Sequence, residues 1–419
     1  MAAATLSVYP EAASVEDGRL TIGGCDAVEL AREFGTPAYV VAEDDLRARA
    51  REFRAALERH HDGPARVAFA SKAFPCTAVL RLFREEGLGV DVASAGELHL
   101  ARRAGYTDGE IVVHGNAKSL AELRAALGTT IVADNLTELE RLAGLVDPAG
   151  AQPVMLRITP GVETDTHVAV STGQSNSKFG FSLADAPGAI ARARAIPGVD
   201  LRGLHLHIGS QLFDTGPHRR AIEALAALGD FPAYDLGGGF GVPYLPGRPA
   251  PTADEHVAGM VAAAHRSLGA RDKVLTIEPG RALVASAGVT LYTVESVKRN
   301  VSTWVAVDGG MSDNLRPMLY GSPYEADVAD RLSSEDEPGE VCHLAGKHCE
   351  SGDVIARDVR LRDPRPGDVV VTPVTGAYGH ALANNYNGVP RPPVVLCSGG
   401  ATRVVVRRET LEDLHARDV

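Results

Sequence analysis

Cysteine is scarce in this chain: five among 419 residues, at Cys25, Cys76, Cys342, Cys349 and Cys397. An odd, scattered set with no CxxC pair argues against a disulfide framework and offers no zinc-ligand spacing. Aromatic residues make up only 5%, with a single tryptophan, and no basic run is interleaved with them. Lys+Arg 42 against Asp+Glu 54 leaves a net charge of -12, an acidic surface unsuited to non-specific nucleic-acid binding. No apolar stretch is long enough to span a bilayer. The opening "MAAATLSVYPEAASVEDG" lacks the basic start and apolar core of a secretory signal. These gaps lead us to expect a cytoplasmic protein with reduced thiols and with neither nucleic acid nor membrane as a partner.

What is present alternates. Short apolar runs recur at "RVAFAS", "GVDVAS", "EIVVHG", "TIVADN", "VMLRIT", "LRGLHLHIG", "AYDLGGG" and "VLTIEPG", mostly separated by amphipathic stretches of helical length such as "CTAVLRLFREEG" and "AGELHLARRAG". Such alternation implies parallel βα units with right-handed crossovers. The number of repeats and the length they occupy predict a (β/α)8 barrel of the TIM type over residues 36–287. An open doubly wound sheet is the competing α/β reading. After residue 288 the runs "VTLYTVESVKR", "TWVAVDGG", "VCHLAG", "DVVVTPVTGAY", "PPVVLCS" and "TRVVVRRE" are separated by Gly/Pro turns. They predict an antiparallel β-barrel or sandwich domain. Residues 1–35 and 288–419 are expected to form it together, with "GRLTIGG" adding a strand before a helix at "DAVELAREFG".

In a barrel of this type the working groups stand at the C-terminal ends of the strands. Lys72 closes the first run. Taken alone it reads as a solvated surface residue; desolvated at a barrel mouth, it is a potential nucleophile. Glu278 and Arg281 end the eighth run in "TIEPGRA". They form either a surface ion pair or, since barrel closure sets strand eight beside strand one, part of a pocket shared with Lys72. "DLGGGFG" places Gly237, Gly238 and Gly239 after a strand, as a plain tight turn or an anion cradle. "GLHLHIGSQ" puts His205 and His207 on one strand face and Ser210 at the exit. These imidazoles are core groups, or one stacks on a flat aromatic ligand; their spacing matches no metal motif, and no metal is expected. A lysine, a glycine cradle and a carboxylate around one pocket meet the needs of pyridoxal phosphate: a Schiff base, a phosphate site, and an acid that keeps the pyridine nitrogen protonated.

In order along the chain, "FASKAF", "VDVASAGEL", "HLHIGSQ", "DLGGGFG" and "IEPGRA", then "VDGGMSDNLRPMLYG", "GKHCESGDVIARD" and "TGAYGHALANNYN", resemble the diaminopimelate decarboxylases. These are a branch of the barrel-type (fold type III) pyridoxal phosphate decarboxylases, and the resemblance covers nearly the whole chain. It implies decarboxylation of meso-2,6-diaminopimelate at its D-centre to L-lysine and carbon dioxide, with pyridoxal 5′-phosphate as cofactor. It assigns Lys72 to the Schiff base, His207 to the ring face and Glu278 to the pyridine nitrogen. Ser210, Gly237, Gly238, Gly239, the backbone around Gly280 and Arg281, and Tyr378 would hold the phosphate. Arg281, Arg316 and Tyr320 would take the substrate's distal carboxylate, with Tyr378 also beside the substrate, and Glu350 its distal ammonium. Cys349 would donate the proton. Cys349 and Glu350 would serve the other subunit's active site, which implies a homodimer.

A substrate with a second amino-acid head needs cations for its second carboxylate, and two guanidinium forks suit it. The chain departs from the family at Ser71 and Phe74, which flank Lys72, and the centre of the loop "STGQSNSKFGF" (171–181) is not diagnostic. The alternatives are a related decarboxylase for another basic or dicarboxylic amino acid, an alanine-racemase-like enzyme, and a non-catalytic pyridoxal phosphate-binding regulator.

Overall fold

A computed structural model describes residues 6–162, 177–334 and 336–419; most of the "STGQSNSKFGF" loop lies outside the described residues. The eight apolar runs form eight strands: β1 (Ala65–Ala70), β2 (Gly89–Val92), β3 (Ile111–Val113), β4 (Thr130–Ala133), β5 (Gln152–Thr159), β6 (Val199–Leu206), β7 (Ala233–Asp235) and β8 (Val274–Ile277). Each pairs in parallel with the next, and β8 returns to β1 through Leu275 beside Ala65 and Ile277 beside Val67. Closure decides between the two α/β readings: the sheet is a barrel. Parallel strands covered on both faces are apolar almost throughout, as in β3, whose three residues are all buried.

The intervening helices begin where the sequence supplies caps. Ser94 accepts from Glu97 N, and Ser119 and Thr252 form capping boxes with Glu122 and Glu255. Each cap satisfies N–H groups that the first helical turn leaves without partners. Inside the barrel, Val112, Val132 and Met155 pack together against Ala233. Below them small residues such as Ala68, Gly89 and Ala233 leave the N-terminal end unfilled, as a cavity of about 490 Å³. It lies at the opposite end from the strand exits where the chemistry collects.

The barrel unit comprises residues 49–241 and 250–282, and a second unit comprises 1–48, 242–249 and 283–419. In the second unit the spatial order is Val354–Leu361, Glu340–Ala345, Thr303–Val307, Gly288–Arg299, Ala38–Ala42, Val394–Ser398, Ala401–Val406. Val369–Thr372 also pairs with Gly288–Arg299. The sheet is mixed rather than antiparallel as expected: Thr303–Val307 runs parallel to Glu340–Ala345, and Ala38–Ala42 parallel to Val394–Ser398. The second of these pairs arises because the N-terminal strand Ala38–Ala42, fully buried, inserts between Gly288–Leu291 and Val394–Cys397. The same unit therefore takes in residues from both ends of the chain, 1–48 and 283–419, together with 242–249. "GRLTIGG" adds no strand to this sheet; Arg19–Ile22 is the middle of a separate three-stranded meander. Among the described residues, no helix is long and apolar enough to cross a membrane.

Candidate active site

Lys72 sits in the 3-10 turn Ser71–Ala73 that leaves β1, with its side chain exposed. The exit of β8 packs directly on this turn. Ala70 N donates to Pro279 O at 3.2 Å, and a Cβ on Gly280 would lie 3.0 Å from the Ala70 Cβ. The glycine loop fills the neighbouring gap. A Cβ on Gly237 would stand 2.2 Å from Leu206 O, one on Gly238 2.1 Å from Glu278 O, and one on Gly239 2.4 Å from Gly209 O. Three bare backbones thus approach the exits of β6 and β8 at once, a closeness that any side chain forbids. His207 lies one residue past the end of β6, not in the strand beside His205 as the alternation implied. Its Nδ1 accepts a long 3.4 Å bond from Gly238 N. Burial, and then the charge of Lys72, push His207 well below the ordinary imidazole range. Arg281 Nη2 donates to Ser210 Oγ at 3.1 Å, so the exits of β6 and β8 are tied by side chains as well.

Glu278 is 4% exposed and lies between two imidazoles: His205 Nε2 is 3.2 Å from Oε2 and His114 Nε2 is 2.7 Å from Oε1. The His114 contact is an ion pair whose N–H is not well aligned with it. Burial by itself would raise Glu278, but His114 and then His205 beside it outweigh burial and hold the carboxyl well below the usual range. His205 is pushed down to about 3, chiefly by burial. A neutral ring donating from Nε2 to Glu278 leaves Nδ1 as the acceptor, and Nδ1 has no hydrogen-bond partner among the described residues. His114 moves the other way. Burial opposes its charge, yet Asp91 and Glu278 beside it win. Asp91 is pushed up to about 6 by burial, against the pull of His114, and Asp235 well above its ordinary value by burial and by Glu278.

His114, His205, Asp235 and Glu278 each offer an atom within 4.8 Å of the others. Two ligands of one ion would stand roughly 3 Å or more apart, whereas His114 and Glu278 meet at 2.7 Å. The geometry is that of a direct acid–imidazole contact. A buried, ionised acid, a glycine cradle that admits no Cβ, and a lysine whose charge reaches His207 and Asp91 together fit pyridoxal 5′-phosphate.

The other expected residues lie in the second unit. Arg316 is 4% exposed; Nη1 donates to Tyr324 Oη at 2.5 Å, Nη2 to Ser322 Oγ at 3.0 Å, and the guanidinium lies 4.5 Å from the centre of the Tyr244 ring. Its Nε is buried without a hydrogen-bond partner among the described residues. Tyr320 ends the same short helix, Arg316–Tyr320. Cys349 and Glu350 stand exposed on one turn. Asn387 brackets the Cys349 thiol, with Nδ2 at 3.4 Å and Oδ1 at 3.6 Å from Sγ, and the Tyr386 hydroxyl bonds Glu350. The turn is anchored by Asp353, which pairs with His348 Nδ1 at 2.8 Å and accepts from His348 N and Met311 N. Tyr378 is half-buried in a left-handed turn at φ 63°.

Comparison with known proteins agrees with this geometry. The sequence profile described as "Pyridoxal-dependent decarboxylase, pyridoxal binding domain" matches residues 43–285. A diaminopimelate decarboxylase of Actinosynnema pretiosum subsp. auranticum is 48% identical, over 98% of this chain and 95% of its own. The chain belongs to the diaminopimelate decarboxylases. A second family member, from Halalkalibacterium halodurans, is 43% identical over 96% of this chain and 95% of its own. The crystal structure of the M. jannaschii diaminopimelate decarboxylase with L-lysine superposes with a TM-score of 0.90, at 33% identity and 98% coverage of both chains. Beside the expected residues the structure places others that the sequence did not single out: Asp91, His114 and Arg157 around Glu278 in the barrel, and Tyr244, Tyr324, Tyr386 and Asn387 against Arg316, Glu350 and Cys349 in the second unit. The sequence left His205 open between core and site; His205 hydrogen-bonds the acid itself.

Proposed function

We propose that the protein removes the carboxylate from the D-centre of meso-2,6-diaminopimelate, leaving L-lysine and carbon dioxide. One observation carries this reading: on a chain of this family, a buried acid held ionised by two imidazoles ends β8 beside the turn that carries Lys72. When bound, pyridoxal 5′-phosphate supplies an electron sink for the bond to the departing carboxylate. Lys72 would hold it covalently, and Glu278 would hold the proton on its ring nitrogen by a charge-assisted bond. His207, kept neutral, would lie against the ring without adding charge. Ser210, Gly237, Gly238, Gly239 and the backbone at Gly280-Arg281 would take the phosphate, joined by Tyr378.

Arg281, Arg316 and Tyr320 would bind the distal carboxylate, with Tyr378 close by, and Glu350 the distal ammonium. The aromatic and hydroxyl contacts of Arg316 support this role, since they fix a planar fork with one buried N–H unmet among the described residues. Cys349 would return one proton to the carbon that loses carbon dioxide, which balances the reaction. Cys349 and Glu350 are exposed on a firmly anchored turn, which supports their serving a second copy of the chain in a homodimer. A cytoplasmic enzyme with free thiols is consistent with this chemistry.

The test is incubation of the cofactor-loaded protein with meso-diaminopimelate, lysine, ornithine and arginine in parallel. Carbon dioxide and L-lysine are expected from diaminopimelate, about thirtyfold or more faster than carbon dioxide from the others, the cost of leaving one desolvated charge unpaired. Comparable release from lysine or ornithine would assign it to a neighbouring specificity; no release from any substrate would refute a decarboxylase.

A further inference from the structure

Assigning Glu278 to a ring nitrogen leaves the cluster behind it without a task. His114 follows β3 directly, its N–H bonded to Val92 O at 2.7 Å, and reaches across the barrel to the exit of β8. The ring is buried. It meets Glu278 Oε1 at 2.7 Å and Asp91 Oδ1 at 3.6 Å, and packs edge-on against His205 with centroids 4.6 Å apart. Among the described residues, the charged or titratable groups facing it come from five other strands: Asp91 of β2, Arg157 of β5, His205 of β6, Asp235 of β7 and Glu278 after β8. A carboxylate taken out of water without a counter-charge is strongly disfavoured, and among the described residues His114 makes the shortest basic contact to Glu278. His205 holds the other oxygen.

We propose that His114 is a positioning residue for the decarboxylation: with His205 it clamps the two oxygens of Glu278 from inside the barrel and keeps that acid ionised and fixed in place. The inference rests on the role given to Glu278 above. His114 touches neither substrate nor cofactor in this scheme and acts only through the acid.

The experiment compares wild type, His114→Gln, Glu278→Gln and the double variant, as holoenzyme and as apo-protein. It measures kcat per bound cofactor, KM, the pyridoxal phosphate dissociation constant and the pH midpoint of the bound cofactor's visible absorbance. His114→Gln is expected to lower kcat per bound cofactor about 10- to 100-fold, the usual range for losing a group that orients a working one. KM for meso-diaminopimelate should stay within about threefold, because substrate contacts are untouched. The cofactor should bind more weakly and the absorbance midpoint should move. In the Glu278→Gln background the same substitution should change kcat by less than about threefold, since the acid through which it acts is gone. A merely structural His114 gives another pattern: the apo-protein melts lower in both backgrounds, while kcat per bound cofactor and the midpoint stay at wild-type values. That result overturns the proposal.

Should His114→Gln not fold, nitrogen-15 histidine NMR of the wild-type apo-protein decides. A His114 ring that is protonated near neutral pH supports the clamp, and a neutral one overturns it. Failure of the decarboxylase reading itself is separately visible, as wild type that releases no carbon dioxide.

Discussion

Gly238 offers a clean perturbation of the cofactor cradle. Unlike Gly237 and Gly239, it does not have a positive φ, so Gly238→Ala adds no backbone strain and tests space alone. The new Cβ would lie 2.1 Å from Glu278 O and 3.0 Å from its carbonyl carbon. An ordinary carbon–oxygen contact is about 3.3 Å or more, so roughly one ångström must come from moving one main chain away from another. Neither neighbour is a flexible side-chain tip. Overpacking of this kind costs typically about 1–3 kcal/mol, which is roughly 5- to 150-fold in an equilibrium constant. The pieces forced apart are the cradle and the backbone of the acid, so the strain falls on cofactor binding. Titration of the apo-protein with pyridoxal phosphate, followed by its visible absorbance, should show affinity weakened by about that factor, with melting lowered by several degrees. Gly188→Ala is the control. It lies within the helix Ala186–Arg194 with none of the described residues within 4 Å of the new Cβ, and should stabilise by about 0.5–1 kcal/mol while leaving affinity unchanged. If Gly238→Ala binds cofactor as tightly as wild type, the close approach of the β7 and β8 exits is not what requires glycine there, and the argument from fit fails.

Lys72→Ala should abolish the visible band of lysine-bound cofactor; a band that persists in the variant removes Lys72 from the Schiff base. Arg316→Lys loses the fork held by Tyr324, Ser322 and Tyr244, and KM for meso-diaminopimelate should rise about thirtyfold or more, as for a broken desolvated pair. An unchanged KM takes Arg316 out of the substrate site. Lys118 is 5% exposed and donates to Gly115 O, Val132 O and Glu138 at 2.7, 2.8 and 2.7 Å. Lys118→Met strands a buried carboxylate and should destabilise the protein by about 3–5 kcal/mol in denaturant unfolding, and a loss below about 1 kcal/mol would contradict the pairing. Asp327, bonded by Tyr9 Oη and Ser333 N, is pushed up to about 6, chiefly by burial. A carboxyl raised in the folded state contributes stability that is fully present below its unfolded value, about 4. That contribution is lost as pH rises through about 6. Wild type should therefore lose stability relative to Asp327→Asn between pH 4 and 6, and parallel melting curves across that window would refute the shift.

The barrel was legible because parallel strands buried on both faces leave short apolar runs and their crossover helices leave amphipathic ones; each of the eight runs read from the sequence is a strand. The second unit was less so, because its sheet is made by partner choice. "AYVVA" at Ala38–Ala42 is as apolar as any barrel strand, and nothing local says that it pairs with residues 288–291 and 394–397. Val354–Leu361 carries charges on its exposed positions, as an edge strand does, and was legible only as part of a motif.

At the site, Lys72, Glu278 and the glycine loop could be found because each ends a strand. His114 could not be found from its own surroundings: a histidine after "IVV" has no distinguishing neighbour until barrel closure sets the exit of β3 across from that of β8. Yet the signal was in the sequence. The rule that singled out Lys72 and Glu278 also applies at the other strands, where it yields Asp91 at β2, His114 at β3, Asp134 at β4, Arg157 at β5, His205 and His207 at β6, and Asp235 at β7. Every strand of the barrel delivers a titratable group to the same end. Their signs are mixed, with cations at β1, β3 and β5 facing acids at β2, β4, β7 and β8. A dry interior tolerates a charge only opposite its counter-charge. The ionised state of Glu278 is therefore a property of the closed ring of strand ends, and no single motif contains it.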